Sequence, residues 1–412
     1  MENEHSKLRL GTEKSILALQ HLIAMFGATV LVPMITGFNP SIALFTAGVG
    51  TLIFHVCTKG KVPVFLGSSF AFIPVILTVK EMYGGDLAYA QGGIMIAGLI
   101  YVLLSILMRF VSMDKIRKLL APQVIGPMII VIGLGLIPTA LDMASQNFMV
   151  AFITLGIALL IKFKGSKFTS QLCILIAVVI GYFISLGMNM VDTQVITQAT
   201  LFSVPSFTLP KFELGAILII TPVVLAVFME HLGDITTSGQ VVGKDFIKNP
   251  SLSRTLLGDG LATMFASLVG GPANTTYGEN TGVLAITKNY DPSILRLTAL
   301  FAILLAFVSK IGILLTTIPN AVMGGISLML FTMIALIGVK TLKNEKVKFN
   351  FKNTLVIGTI LILGLGGEYI SNLSGITIGI PISETVQITG LSFSALIGIT
   401  LNFILDIFIK ES

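Results

Sequence analysis

Apolar runs recur along the whole of this 412-residue chain, separated by polar or Gly/Pro breaks. Most are long enough to cross a hydrocarbon core of about 30 Å, for which a helix needs ~20 residues. Charged residues make up only 11% of the sequence, against roughly 25% in an average soluble domain. The chain therefore reads as an all-α integral membrane protein embedded in a lipid bilayer. Its N-terminus, Met1 to Lys14, is short and polar and lacks a signal-peptide cleavage pattern, so the first span is expected to be retained.

Fourteen transmembrane segments are predicted. Twelve are strong, at 15–36, 41–57, 88–110, 121–140, 147–162, 170–190, 213–232, 255–271, 293–316, 320–339, 353–367 and 391–409. Two are weak, near 66–79 and 279–288, each too short or too interrupted for a full helix. Short cytoplasmic loops hold the Lys/Arg excess of a membrane protein, which tests the count. With both termini cytoplasmic, every one of the 26 Lys and Arg residues except Lys80, Lys211 and Lys310 falls on the cytoplasmic side. Deleting either weak segment would invert every loop after it, so both are expected to cross. The net charge of +6 then follows from topology, and without a basic face bearing stacking aromatics no nucleic-acid partner is expected. Cys57 and Cys173 lie in apolar spans and read as small buried hydrophobes, with no disulfide framework. Lys340 to Lys352, with five lysines, reads as a solvated cytoplasmic loop, with contact to anionic lipid headgroups as the alternative.

The two weak segments stand about 208 positions apart, near half the chain length, counted from Phe70 to Gly278. Broken helices at matching positions of two halves are the mark of an internal repeat in transporters. Seven spans per half start the second half on the opposite side, giving a 7+7 inverted repeat. Each break carries turn-formers and β-compatible residues, Lys61-Val-Pro-Val-Phe-Leu-Gly-Ser-Ser-Phe and Pro272-Ala-Asn-Thr-Thr-Tyr-Gly. Extended backbone at membrane depth is tolerated only where protein buries it or water lines it, and two such pieces can satisfy each other by pairing.

Ionisable residues inside the membrane cost roughly 2.5 to 3.5 kcal/mol each on insertion scales and are functional-site candidates by default. Glu279 stands in Thr276-Tyr-Gly-Glu-Asn-Thr-Gly, where a half-helix should begin. There it meets free backbone N–H groups at the positive end of a helix dipole. The carboxylate can accept from ligand N–H groups while the backbone donates to ligand carbonyls, a set that suits a planar molecule such as a nucleobase edge. Glu230 and Asp234, in Glu-His-Leu-Gly-Asp, are four apart and share one helix face. Gly233 and 236–239 suggest a thin, approachable helix end there. Burial and a second carboxylate nearby both favour the neutral carboxyl, so this pair is where a transported proton is expected to ride. The plainer alternatives are a structural hydrogen-bonded Glu230 and an Asp234 already in the headgroup zone. In the other repeat Ser69 and Phe70 hold the matching position, offering a backbone N–H and an aromatic face, with Phe70 as simple core filling the alternative. Tyr277 reads either as a ring wall or as a buried hydrogen-bonded tyrosine. His231 points about 100° from Glu230 and reads as packing; a metal site from Glu230, His231 and Asp234 would lack further ligands, and no metal is expected. Gln20, His21 and Asn280 are read as supports behind the site. Asp259 fits a helix start, and Glu368 and Glu384 read as solvated near the outer surface. No nucleotide-binding loop, dinucleotide fingerprint or nucleophile elbow is present, so no cofactor and no enzymatic chemistry is expected.

At these residues the chain resembles the nucleobase–ascorbate transporter family (nucleobase:cation symporter 2), and within it the bacterial uracil:proton symport branch. The resemblance covers nearly the whole chain. It is carried by Gln20-His-Leu-Ile-Ala-Met-Phe-Gly-Ala-Thr-Val-Leu-Val-Pro, Lys59-Gly-Lys-Val-Pro, Gly67-Ser-Ser-Phe-Ala-Phe and Glu230-His-Leu-Gly. Asn274-Thr-Thr-Tyr-Gly-Glu-Asn-Thr-Gly-Val with Ala285-Ile-Thr-Lys adds the family's Asn-x-Gly signature.

The resemblance implies a core domain of segments 1–4 (14–110) and 8–11 (211–316), and a gate domain of segments 5–7 (111–192) and 12–14 (317–410). Short antiparallel strands would precede the half-helices of segments 3 and 10. Uracil would sit between them, its polar edge on Glu230 and Glu279, its carbonyls at the backbone N–H groups of Phe70 and Gly278, with Tyr277 close by. A homodimer through the gate domain and a cell-membrane location are implied as well. One position departs from the branch: Asp234 stands where uracil carriers of this type have a histidine. Purine carriers often have Asp there, but a Gln or similar residue in place of Glu279. A purine or xanthine:proton symporter is thus the alternative reading, with an ion channel or anion exchanger of the same architecture as a more distant one.

Overall fold

The computed structural model describes residues 2–110 (side chains from Thr12), 121–367, 370, 378–381 and 387–408; Glu368 and Glu384 lie outside the described residues. The protein is mostly helical and built for a bilayer. Among the described residues seven helices are long and apolar enough to span one: Thr12–Thr36, Pro40–Cys57, Leu87–Leu107, Pro122–Ser145, Leu214–Val242, Asn320–Asn344 and Gly390–Phe408. Pro292–Ala306 and Ser309–Thr316, bent by 78° at their junction, make an eighth if taken as one span. The other strong predicted spans are the shorter helices Phe148–Lys164, Cys173–Gly187, Leu252–Leu268 and Phe351–Leu361.

Helix starts are set by side chains that take up free N–H groups. Asn39, Asp86, Asn147 and Asp291 each accept from a first-turn N–H of the helix that follows, and prolines occupy the first turn at Pro40 and Pro292. Within the spans, Thr36, Thr51, Thr154 and Ser185 turn their hydroxyls back to the carbonyl four residues earlier, so these polar groups need no water. Leu103, Leu160, Leu304 and Phe403 are each more than half exposed. Lipid, as apolar as they are, is the solvent that covers them.

Helices approach closely where side chains vanish. A Cβ on Gly98 would sit 2.9 Å from the Gly260 carbonyl oxygen, and one on Gly260 would sit 2.9 Å from that of Gly98. Gly338 meets the Gly126 carbonyl in the same manner at 2.5 Å. These contacts belong to two different sets of helices. Glu2–Thr36, Pro40–Cys57, Leu87–Leu107, Leu252–Leu268 and Pro292–Ala306 pack most heavily on one another, as do Pro122–Gly135, Ile137–Ser145, Phe148–Lys164, Cys173–Gly187 and Asn320–Asn344.

Both weak predicted segments are strand-then-helix units. Strand β1 (Leu66–Ser68) leads through a 3-10 turn, Phe70–Phe72, into the half-helix Ile73–Met82. Strand β2 (Asn274–Thr276) leads into the half-helix Gly278–Thr287. The strands pair antiparallel, with Leu66 opposite Thr276, Gly67 opposite Thr275 and Ser68 opposite Asn274. A second short pair, Ile380–Pro381 with Gln387–Ile388, was not anticipated from the sequence.

One expectation is corrected. Gly233 and residues 236–239 do not thin the helix that carries Glu230; Val223–Val242 continues through them and stops at Gly243, whose φ of 76° gives the left-handed turn that ends helices. A single glycine inside a helix costs only ~1 kcal/mol, which packing readily offsets. Glu230 and Asp234 are therefore mid-helix residues.

Candidate functional site

The site grows from the crossing of β1 and β2. Beyond the ladder, Tyr277 N–H donates to the Phe65 carbonyl at 3.0 Å and Ser69 N–H to the Ala273 carbonyl at 2.8 Å. Neighbouring helices satisfy the outer edges: Leu66 N–H donates to Thr51 Oγ1 (2.9 Å), Thr263 Oγ1 to the Asn274 carbonyl (3.0 Å), and Asn274 Nδ2 to the Thr46 carbonyl (3.0 Å). The pair is thus fully protein-buried, which is the condition for extended backbone at this depth. Each strand delivers its half-helix start, with first-turn N–H groups that have no partner inside the helix, to one place.

That place is a cavity of about 370 Å³. Glu230 and Asp234 line it from Val223–Val242, Phe70 from the turn after β1, and Tyr277, Gly278 and Glu279 from the end of β2 and its half-helix. The carboxylate of Asp234 accepts from Thr276 Oγ1 at 2.9 Å, which ties the acid to β2. A Cβ built on Gly278 would stand 3.9 Å from Asp234 Oδ1, so the glycine leaves its backbone open beside that carboxylate.

The remaining predicted residues lie behind this surface. Tyr277 is 3% exposed and donates its hydroxyl to the Ser68 carbonyl at 2.9 Å, with its ring over Gly67. Between the two readings offered for it, the buried, hydrogen-bonded tyrosine holds, while its edge still borders the cavity. Ser69 is fully buried and does not line it. His21 and Asn280 bond each other: Asn280 Nδ2 is 3.2 Å from His21 Nδ1 and 3.2 Å from the His21 carbonyl, which fixes the second half-helix against the first helix. His231 turns away from the cavity to Asp259, Nδ1 to Oδ2 2.7 Å, and to Thr255, Nε2 to Oγ1 2.9 Å. Asp259 is therefore a buried partner of His231 in mid-helix rather than a helix start. Among the described residues no three His, Cys, Asp or Glu side chains converge on a metal-sized point.

Sequence reasoning missed the opposite wall. Lys162 and Cys173 line the cavity from the second set of helices, with Gln171 from the short helix Lys167–Gln171 between them and Met329, Leu330, Met333, Ile334 and Ile337 of Asn320–Asn344. Gln171 lies directly over Gly282, where any side chain would meet its amide. The apolar residues recur at helical spacing on one face, but nothing in that periodicity separates a cavity wall from ordinary packing. Lys162, placed with the cytoplasmic loop by charge, was the one available signal.

Comparison with known proteins gives a consistent set of likenesses. The sequence model of the permease family, Xan_ur_permease, matches residues 12–373. The uracil permease of Bacillus subtilis (strain 168) is 40% identical over 408 residues, covering 94% of this chain and 91% of that one. The uracil permease of Bacillus caldolyticus is 41% identical over 405 residues, again covering 94% and 91%. Among solved structures, that of SLC26A9 superposes with a TM-score of 0.70 at 12% sequence identity, covering 96% of this chain. This chain spans 65% of the SLC26A9 chain, and the likeness there is one of fold alone.

Proposed function

The chain belongs to the Xan_ur_permease permease family, and on that premise we propose that it is a uracil:proton symporter that works by alternating access. It is a transporter rather than an enzyme, and uracil is its substrate, as in the permeases some 40% identical to it along nearly the whole chain. The observation that carries the mechanism is the single cavity that gathers Glu230, Asp234 and Glu279 with the two half-helix starts. Uracil presents two ring N–H donors and two carbonyl acceptors. Glu230 and Glu279 accept from the N–H groups, the backbone N–H groups of Phe70 and Gly278 meet the carbonyls, and the Phe70 ring covers a face. Charge-assisted hydrogen bonds of this kind are about twice as strong as neutral ones.

Glu230 and Asp234, one helical turn apart on the same wall, carry the proton. Protonation before docking gives the base a different affinity in the two orientations of the carrier, and only such a difference can drive the exchange between them. The moving parts are the two helix sets, taken as a core (14–110 and 211–316) and a gate (111–192 and 317–410). The separate packing of the sets supports this division. The placement of nearly all Lys and Arg on one side supports fourteen crossings in a 7+7 inverted repeat with both termini cytoplasmic. A plasma-membrane location and a homodimer through the gate complete the reading. Asp234, bonded to Thr276 at the cavity wall, keeps a purine or xanthine substrate as the second reading.

The test is uptake of labelled uracil into proteoliposomes with and without an inward proton gradient, with unlabelled bases as competitors. Accumulation above equilibrium that needs the gradient and is competed by uracil supports the proposal. Gradient-independent equilibration removes proton coupling, and preferential competition by xanthine moves the substrate to the second reading.

A further inference from the structure

A second cavity, of about 530 Å³, adjoins the uracil site and shares Ile174 with it as a lining residue. Its walls are Phe26, Val30 and Met34 of the first helix, the face of Cys173–Gly187 from Ile174 to Leu186, and the underside of Ser309–Thr316. From Ile174 to Leu186 is twelve residue steps, ~18 Å along a helix at ~1.5 Å per step. That is close to half of a ~30 Å hydrocarbon core, the depth of one leaflet. The lining is almost entirely hydrocarbon. Of its few polar groups, the Tyr182 hydroxyl is hydrogen-bonded to Thr317 Oγ1 at 3.1 Å and Thr197 Oγ1 donates to the Gln194 carbonyl at 2.9 Å. A polar base has nothing to bind here.

The short helix that lines one side of this cavity carries a charge at its start. Ser309–Thr316 is the short arm of the helix pair bent by 78°, and its second residue is the exposed Lys310, next to the lining residue Ile311. Ser309 pins this arm, donating Oγ to the Thr200 carbonyl at 2.6 Å. Three basic residues stand on this side of the protein by charge placement. Lys80 donates to the Thr36 carbonyl at 3.0 Å and Lys211 pairs with Asp86 at 2.8 Å. Lys310 has no hydrogen-bond or ion-pair partner among the described residues. Asp192, at the start of Thr193–Gln198, spends its carboxylate on the N–H of Gln194 at 2.9 Å.

From the leaflet-long apolar slot and the unpaired lysine directly before its lining residue Ile311 we propose that the cavity is a phospholipid site. One acyl chain of a lipid from the leaflet on the Lys310 side lies between the first helix and Cys173–Gly187, and the lipid phosphate meets the Lys310 ammonium. The two long walls belong to different helix sets, so the chain fills part of the seam between them.

The experiment is native mass spectrometry of the full-length protein, stripped stepwise of lipid after reconstitution in phosphatidylglycerol, phosphatidylethanolamine or phosphatidylcholine. Wild type is expected to hold one phospholipid to the end, phosphatidylglycerol most firmly. Lys310→Gln should hold phosphatidylglycerol about fivefold less firmly, the factor that one lysine near an anionic surface supplies. Val178→Phe, which fills the slot, should lose the retained lipid whatever its headgroup while keeping its uracil-induced thermal shift. Leu314→Phe makes the same prediction from another wall should Val178→Phe not fold. Leu160→Phe, on the outer surface, should behave as wild type. Unchanged retention in the slot-filling variants, or equal loss in Leu160→Phe, overturns the site. Unchanged retention of phosphatidylglycerol in Lys310→Gln, or retention of free fatty acid alone, overturns the phosphate contact.

Discussion

Glu279 meets the membrane at the first turn of a half-helix, where backbone N–H groups and a carboxylate face one cavity with Glu230 and Asp234. Replacing its carboxylate by an amide keeps the shape but puts an N–H where, in the proposed pose, the base donates. We expect Glu279→Gln to weaken uracil binding roughly 10- to 100-fold, the loss of one charge-assisted hydrogen bond worth about 1.5–3 kcal/mol; isothermal titration in detergent measures it. Asp234 is held differently, by Thr276. Asp234→Asn should still bind uracil yet equilibrate it without response to a proton gradient in proteoliposomes. Gradient-driven accumulation by that variant would remove Asp234 from the coupling role.

At the scale of elements, the β1–β2 crossing and the helix ends are what hold these residues in register. Tyr277→Phe removes the bond to the Ser68 carbonyl, in a fully buried place. It should lower stability by about 1–3 kcal/mol, read as an earlier unfolding transition, with a weaker base affinity following from a looser β2. The capped start of Leu87–Leu107 offers a pH test just outside the span. Asp86 caps this helix and pairs with Lys211, whose hydrogen bond holds the carboxyl below its ordinary value of 3.8. A depressed folded-state value means the contribution is present above the ordinary carboxylate range and is lost as pH falls through the lower folded value. Thermal melts of wild type and Asp86→Asn should therefore differ near neutral pH, by no more than the small amount an exposed pair supplies, and converge in acid. A constant gap across the range would exclude the ion pair as its cause.

For the whole molecule, the prediction concerns access. Cys173 lines the cavity proposed for uracil from the second helix set and is one of two free cysteines in the chain. A small, charged thiol reagent should label it from the side on which the cavity opens, and uracil should protect it. Protection should vanish in Glu279→Gln and labelling of this position in Cys173→Ser. Labelling unaffected by saturating uracil would separate this cavity from the transport route.

How much of this was legible beforehand differs by residue. Glu230, Asp234 and Glu279 could be read from the chain because a carboxylate inside an apolar run is costly, and cost makes it visible. The two weak segments could be read as strand-then-helix units because their Pro, Gly and β-compatible residues contradict a long helix. His231 was correctly read as a packing residue, but its partner Asp259 stood 28 positions away and was taken for a helix start. The extent of Val223–Val242 was misjudged because glycines inside a helix and glycines at its end look alike until φ is known. Gln171 and the methionines of the facing wall carried no local signal at all, and Lys162 carried only its charge.

The sequence by itself determined that this chain lives in a bilayer, where its helices break and which acids it keeps at depth, because each of these is a local conflict between a residue and its solvent. Tertiary structure alone decided which wall faces those acids, which of Tyr277's readings holds and which polar groups pair off behind the site. Those outcomes depend on residues some 200 positions apart meeting across β1 and β2, and on close approaches such as Gly98 to Gly260. No pattern along the chain encodes such meetings, because they are fixed by how the whole set of helices packs.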